Sequence, residues 1–496
     1  MRGAIAKRAV LALAAATLIG GVFGGPALGE NETSRIVATY PAAAFETTTP
    51  EAAGWSAATL AEAKSWSRLI APTAAVMIVQ HGRIVAQWGD ITTKSNLHSV
   101  RKSLLSALIG IAVDQHRIDL NASLSDLGID DNAPGLSETE KSATVSDLLK
   151  ARSGVYHAAL YETKGMARRR PLRGSHAPGT FWYYNNWDFN ALGTIYEKAA
   201  AQSIFSAFDR QIARPIGMQD YGPSDGSYVR GAASNYPAYP IRMSARDLAR
   251  FALLYLHEGQ WGDRQIVPRA WVRASVKSYS TAYPQLGPGL GYGYLWWIGF
   301  LNDTGAPTVK VPAGTYEAMG AEGQYAFVIP AYDLVIVHRI NSDAALAPSG
   351  SRRPTPSFRQ IGRLLWLILS AAGDRDIGPD ASLAHADGER LDAAALKTAL
   401  SDKNLLAGTA LAGGPFVWQL HGDGTALVLA GAERRERSTG TWHIDDRARY
   451  CRTLTNDDLD RQAAASREHC FDVIVKGERF QFFDADGLMQ YDTRAE

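Results

Sequence analysis

Cysteine is nearly absent. Cys451 and Cys470 are the only two in 496 residues, so neither a disulfide framework nor a cysteine-rich metal site can organise the chain. An excess of charge of one sign is lacking too. Lys and Arg total 51 against 50 Asp and Glu, a formal net charge of +1, which supplies no general pull toward nucleic acid or an anionic membrane. The 11 histidines show no metal-ligand spacing with carboxylates or with each other, so no metal and no other cofactor is expected. There is no phosphate-binding glycine loop, no internal repeat and no aromatic-basic interleaving of a nucleic-acid binder. Outside the N-terminus the greasiest stretch, residues 364–369, is far too short to span a bilayer. What is present is ordinary for a folded enzyme-sized chain. Hydrophobic residues make up 46% and charged residues 20%, which excludes a disordered or fibrous protein. Twelve Trp and 20 Tyr suit substantial cores or an aromatic-lined cleft. At roughly 100–200 residues per domain the length predicts two to four domains.

Arg2, Lys7 and Arg8 precede an apolar run over residues 9–25, followed by small residues Ala27 and Gly29 before Glu30. This is the pattern of a secretory signal over residues 1–29. A membrane anchor is the alternative, but the run sits at the lower limit for a span and is Gly-rich at its end. The expectation is a periplasmic or secreted protein with no stable membrane span once the signal is removed; its oligomeric state is not specified. In an oxidising compartment Cys451 and Cys470, 19 apart, are expected to close one disulfide, the alternative being two free thiols.

Residues 57–70 read as a helix. Residues 74–80 and 83–88, joined by His81-Gly82, read as a β-hairpin. A periodic helix then places Val100, Leu104, Leu108 and Ile111 on one face. Residues 115–290 mix short helices with Pro/Gly-rich loops, including a helix capped at Ser244 and running through Leu256. Strands are expected at 293–297, 325–329 and 334–338, and an amphipathic helix at 358–369. Composition shifts after Gly373: residues 374–404 read as a linker, and 405–496 as a small all-β domain of unknown role. Its turns are expected at 421–424, 438–440 and 484–487.

The sharpest chemical feature is Ser99-Val100-Arg101-Lys102, the only Ser-x-x-Lys in the chain. Three residues apart on a helix, Ser99 and Lys102 share one face a turn apart. A serine hydroxyl needs an adjacent base to act as a nucleophile near neutral pH. A lysine serves if burial disfavours its ammonium. The Ser99 N–H, in the first helical turn, is free to bind developing negative charge. A second stretch, Pro178-Gly179-Thr180-Phe181-Trp182-Tyr183-Tyr184-Asn185-Asn186, precedes an apolar helix. It holds Tyr-x-Asn in two registers, Tyr184 with Asn186 and Tyr183 with Asn185.

With these two motifs the chain resembles serine hydrolases of the β-lactamase-related superfamily, the group around class C β-lactamases, D-aminopeptidases and penicillin-binding-protein-like esterases. Segments 144–154, 243–251 and 291–297 are similar to the family's intervening segments, so the resemblance covers roughly residues 50–370 in order. It implies an α/β (α+β) fold: an antiparallel sheet flanked by helices with a helical lobe, within a hydrolase domain over 30–373. Counting from Pro178, it implies Tyr184 as the proton-relaying tyrosine and Asn186 as a substrate contact. The third motif departs from the family. Where β-lactamases carry Lys-Thr-Gly, and many relatives His, this chain has Ala318-Met319-Gly320-Ala321-Glu322-Gly323-Gln324. That form looks like the 6-aminohexanoate-dimer hydrolase subgroup of amidases and esterases. The missing cation argues against a dedicated β-lactamase. By this alignment the Ala321 N–H completes the oxyanion hole with Ser99, and Gly320, Gly323 and Gln324 line the substrate. Gln324 has a second reading, a turn residue before a strand. Arg168, Arg169, Arg170 and Arg173 are either a basic rim for a carboxylate-bearing substrate or a solvated loop face.

The function expected is an exported serine hydrolase acting on a small amide, ester or short peptide through an acyl-enzyme on Ser99. The alternatives are a cell-wall-directed D-amino-acid peptidase or weak β-lactamase, and a non-catalytic binding protein on the same fold.

Overall fold

Alternation of side chains builds the central sheet. The computed structural model describes residues 39–282, 290–300, 309–343, 355–373, 375–410, 414–430, 436–454 and 468–495. The signal expected over 1–29 lies outside them. Its strands are β1 (Thr73–Gln80), β2 (Arg83–Gly89), β3 (Ser95–Asn96), β4 (Arg242–Met243), β5 (Gln260–Trp261) and β6 (Arg264–Gln265), followed by β7 (Ser280–Thr281), β8 (Leu290–Tyr292), β9 (Trp297–Gly299), β10 (Tyr316–Gly320), β11 (Gln324–Ile329) and β12 (Leu334–Ile340). Eight of these form one antiparallel sheet in the order β2-β1-β12-β11-β10-β9-β8-β7, while β3 pairs with β4 and β5 with β6.

Both faces of the sheet are covered, which is why β11 and β12 are apolar over most of their length. On one face Met77, Val79, Ala326, Val328, Val335 and Val337 join a large core shared with the helical lobe. On the other, Val76, Ile78, Phe327, Ile329, Leu334 and Ile336 pack with two helices. Those are α1 (Ala57–Ile70) and, from the far end of the domain, the helix Phe358–Ser370. The lobe carries α2 (Arg101–Asp114), α3 (Glu138–Lys141), α4 (Val145–Leu149), α5 (Lys164–Arg169), α6 (Asn186–Ala200), α7 (Ile204–Phe208), α8 (Ala245–Leu256) and α9 (Arg269–Ser275). The helix Phe358–Ser370 is α10, and α11 spans Ala393–Leu400. None of the described helices is long and apolar enough to cross a membrane.

Caps set where several of these helices begin. Ser56 accepts from the Thr59 N–H, Ser244 from the Asp247 N–H, and Ser357 with Gln360 makes a full capping box before α10. Helix α2 departs from the amphipathic expectation, because all but its last two residues are buried. A helix enclosed on all sides is central to the domain, and its polar Ser103 is satisfied by the Leu295 carbonyl at 2.8 Å.

Two expected elements turn out differently. Of residues 293–297, the first four are not a strand but the bend between β8 and β9, closed by the Gly293 N–H donating to the Trp296 carbonyl at 2.8 Å, with Leu295 at φ +63°, and Trp297 opens β9. A Cβ on Gly293 would lie 2.0 Å from the Ser275 carbonyl, so the glycine serves a close approach of backbone. The turn expected at 438–440 lies inside the strand Glu436–Ile444, where a Cβ on Gly440 would sit 2.0 Å from the Thr453 carbonyl. Turns do occur at 421–424 and 484–487, between consecutive strands.

The C-terminal all-β part is a closed eight-stranded barrel, its first strand Lys403–Ala410 pairing with its last, Met489–Ala495. Trp418, Tyr450, Phe471 and Phe482 fill its core, with the Arg452 guanidinium 4.5 Å from the Trp418 ring centre. The stretch read as a linker is partly structured: α11 puts Leu396 and Leu400 into that core. Cys451 and Cys470 face each other on adjacent strands and are joined by a disulfide. Residues 38–496 form one unit. Arg359 of α10 donates to the Met489 carbonyl, and Gln360 to Asp486 at 2.7 Å.

The enclosure of α2 leaves no room at Gly110, where a Cβ would lie 2.2 Å from the Trp271 ring. Gly110→Ala is expected to destabilise the fold by about 1–3 kcal/mol, read as a lowered urea midpoint with an unchanged slope.

Candidate active site

Ser99 is brought to the start of α2 by a sharp reversal. The β3–β4 pair delivers the chain to Leu97, and His98 takes φ +48°, with its N–H donating to Asn96 Oδ1 at 2.9 Å. Residues His98–Val100 then make one 3-10 turn before α2 begins. A non-glycine residue in the left-handed region is held there only by its surroundings. This turn leaves Ser99 half-buried and puts Lys102 Nζ 2.9 Å from Ser99 Oγ. Lys102 itself is only 2% exposed. Burial holds its pKa well below the ordinary lysine range, and the Arg101 cation pushes it the same way. A neutral amine can accept the serine proton, which an ammonium cannot.

The two Tyr-x-Asn registers separate by geometry. Tyr184 lies with its ring centre 4.9 Å from Lys102 Nζ and stacks on Trp297 at 5.1 Å. Tyr183 turns away, its hydroxyl donating to the Met166 carbonyl at 2.9 Å. Asn185 is the N-cap of α6: its Oδ1 accepts from the Trp187 N–H, and its Nδ2 donates to the Val155 carbonyl at 2.6 Å. Asn186 donates to the Tyr161 carbonyl at 2.7 Å, while its buried Oδ1 has no partner. The structure thus brings Tyr184, rather than Tyr183, against Lys102. Phe189, one turn into α6, completes the apolar surround of the lysine at 5.0 Å.

Strand β10 passes directly beside Ser99. A Cβ on Gly320 would lie 2.5 Å from the Leu97 carbonyl and 3.1 Å from the Ser99 nitrogen, so only glycine allows this approach. The following turn carries Ala321, exposed, with Glu322 at φ +60° and Gly323 at φ +78°. Gln324 is corrected. Expected either as a substrate contact or as a turn residue before a strand, it is fully buried as the first residue of β11, directly after the 321–323 turn, which removes the first reading. Its side-chain amide is spent within the fold: Nε2 donates to the Glu322 and Ile340 carbonyls, and Oε1 accepts from Arg339 at 2.6 Å. Two of the four rim arginines are committed as well, Arg170 to Glu162 and Arg173 to Glu140 at 2.7 Å.

Arg339 and His338 were not singled out from the sequence, though two basic residues inside the apolar run of β12 are a signal. Arg339 is buried and donates to Gln324 Oε1, to the Met243 and Ser95 carbonyls at 2.9 Å, and to Ser95 Oγ at 2.7 Å. It therefore ties β3, β4 and β11 together just behind Ser99 and the 321–323 turn. Burial lowers its pKa to about 9. His338 Nδ1 donates to the Gly323 carbonyl at 2.7 Å, fixing the far end of that turn. Burial and then the Arg101 charge lower His98 to about 4, so its ring is neutral near pH 7. Its Nε2 lies 3.0 Å from Ser342 Oγ.

A family model described as Beta-lactamase matches residues 62–354. The esterase EstB of Burkholderia gladioli is 26% identical over 206 residues, which is 34% of this chain and 51% of EstB. An uncharacterised protein of Alkalihalophilus pseudofirmus is 23% identical over 300 residues, 54% of this chain and 84% of that one. Among solved structures, a Bacillus anthracis protein provisionally named a 6-aminohexanoate-dimer hydrolase superposes with a TM-score of 0.48 at 20% identity, covering 66% of this chain and 87% of its own.

Two outcomes follow from this geometry. Gly320→Ala should slow acylation of Ser99 by roughly 10²-fold, the size of an oxyanion-donor defect, measured as labelling rate by a serine-directed reagent. For Lys102 the folded pKa is depressed, so between that value and about 10.4 the unfolded chain holds the extra proton and stability climbs as pH rises. Lys102→Met should flatten that climb and raise the thermal midpoint at neutral pH, while turnover is lost; unfolding followed across pH checks both.

Proposed function

The chain belongs to the Beta-lactamase family and is a hydrolase of that fold, and from this premise we propose that it is an exported serine hydrolase that cleaves small amides or esters through an acyl-enzyme on Ser99. The observation that carries the reading is the 2.9 Å approach of a buried Lys102 amine to the Ser99 hydroxyl. Ser99 Oγ attacks the substrate carbonyl carbon as its proton passes to Lys102 Nζ. The carbonyl oxygen, now negative, is held by the N–H groups of Ser99 and Ala321. As the intermediate collapses, the proton moves from Lys102, with Tyr184 as relay, to the leaving nitrogen or oxygen. The scissile bond breaks and the acyl group stays on Ser99. A water then attacks the acyl carbon by the same route in reverse, releasing the acid and restoring the serine.

Substrate class follows from the third motif. Ala318 is buried on β10, so the position at which β-lactamases carry a lysine offers no cation to a substrate carboxylate. This favours neutral amides and esters over β-lactam acids and D-amino-acid peptides. The esterase name of one relative, EstB, is in line with that choice. Asn186, with its unpartnered oxygen, and the backbone at Gly320 and Gly323 are the proposed substrate contacts.

Intact-mass spectrometry after exposure to a fluorophosphonate, on wild type and Ser99→Ala, tests the reading. One adduct on wild type and none on the variant is expected, with hydrolysis of short-chain nitrophenyl esters exceeding that of D-alanyl peptides. An unlabelled wild type would overturn the mechanism and favour a binding protein on this fold. Faster turnover of the peptides would favour the cell-wall-directed alternative.

A further inference from the structure

The proposed base has an unusual neighbour. Arg101, the residue before Lys102, is only 1% exposed. Its guanidinium lies between two aromatic faces, 5.3 Å from the Tyr161 ring centre and 4.7 Å from that of Tyr239. Nη1 donates to the His98 carbonyl at 3.1 Å, the one acceptor it meets among the described residues, while Nε and Nη2 are buried without partners. The cage is itself anchored. Asn186 and Asn190, one turn apart on α6, donate to the Tyr161 and Leu160 carbonyls, and Asn96 donates to the Tyr161 hydroxyl at 2.7 Å. A guanidinium cannot shed its proton in a protein. Aromatic faces moderate its cost without cancelling its charge as a carboxylate would.

We propose that Arg101 is a positioning residue that keeps Lys102 in its proton-accepting form through its own uncompensated charge. This rests on the reading of Ser99 and Lys102 as nucleophile and base. The groups packed around the lysine leave that role to Arg101. From α6 and the loop before it come the rings of Phe189 and Tyr184. Asp188, also on α6, has its Oδ1 taken up by Ser153 and Asn185, and burial pushes its carboxyl well above the usual carboxylate range. His98, on the same turn, is neutral near pH 7. Of the carboxylates near this turn, Asp343 is paired with Arg242 and accepts from the Asn96 N–H, and Glu322 lies 4.0 Å from His98 Nε2. Arg339, on β12, adds a further cation whose charge is felt at His98. Among the described residues the site thus holds fixed positive charge with no anion paired to Lys102, and the added proton is disfavoured by repulsion as well as by burial.

The test is the pH dependence of fluorophosphonate labelling of Ser99 in wild type, Arg101→Gln, Arg101→Met and Arg101→Lys, with circular dichroism confirming the fold of each. Removing the charge should move the acid limb of the labelling rate up by about one pH unit, slowing labelling roughly tenfold at a fixed pH on that limb and leaving the plateau in place. Arg101→Lys puts an amine in the same buried place, where it sheds its proton as Lys102 does, and should move the limb with the neutral variants. A neutral variant that folds and keeps the wild-type limb overturns the proposal. If both neutral variants fail to fold, Arg101→Lys decides: a raised limb upholds the proposal and a wild-type limb overturns it. Absence of any labelling of wild type is a different result, which overturns the serine mechanism itself.

Discussion

Lys102 stands one helical turn from Ser99 with its amine 2.9 Å from the hydroxyl, and it can take a proton only while water is kept away from it. That requirement explains the position of α2. A helix carrying both residues on a surface would leave the amine solvated and protonated. Here the helix is enclosed by the lobe, with Gly110 pressed against Trp271 on one side and Phe189 and Tyr184 closing over the lysine on another. Enclosing an amine opposes folding, so the large core around α2 stabilises the domain against a cost that the chemistry imposes.

Buried arginines do much of the remaining organisation, and they do it by collecting carbonyls rather than by pairing with acids. Arg339 ties the segments behind Ser99 to the strand that follows the 321–323 turn. Arg250 of α8 donates to the Pro41, Ala42 and Ala43 carbonyls and to that of Ile216, fastening the lead-in segment to the domain. A fork of five donors can satisfy several orphan carbonyls from irregular chain at once, which a short polar side chain cannot. The consequence is a site rich in fixed positive charge. That bias suits an oxyanion and a neutral lysine alike.

Much of this was legible in the sequence where the signal is local. The hairpin at 73–89, the helix bounds at 57–70 and the capped start of α8 depend on alternation, period and cap residues within a few positions, and the structure has them. The Ser99–Lys102 spacing is of the same kind. Residues 293–297 misled because alternating aromatic and glycine residues mimic a half-buried strand. Gly293 is there for a carbonyl of another segment, and Trp296 fills a core position against Tyr255 and Phe251. Gln324 misled because a polar residue after a glycine turn carries no mark of what lies opposite. Arg339, which occupies its oxygen, comes from the neighbouring strand.

The sequence by itself determined which chemistry is available: a serine, a lysine and a tyrosine in motifs whose spacing is local, with no cation in the third motif. Tertiary structure decided what those groups can do. The choice of Tyr184 over Tyr183, the burial of Lys102, the isolation of Arg101 from acids among the described residues and the loss of Gln324 to the fold all depend on residues far apart in the chain meeting in space. Desolvation and charge act through whatever surrounds a group, whether or not it is near in sequence.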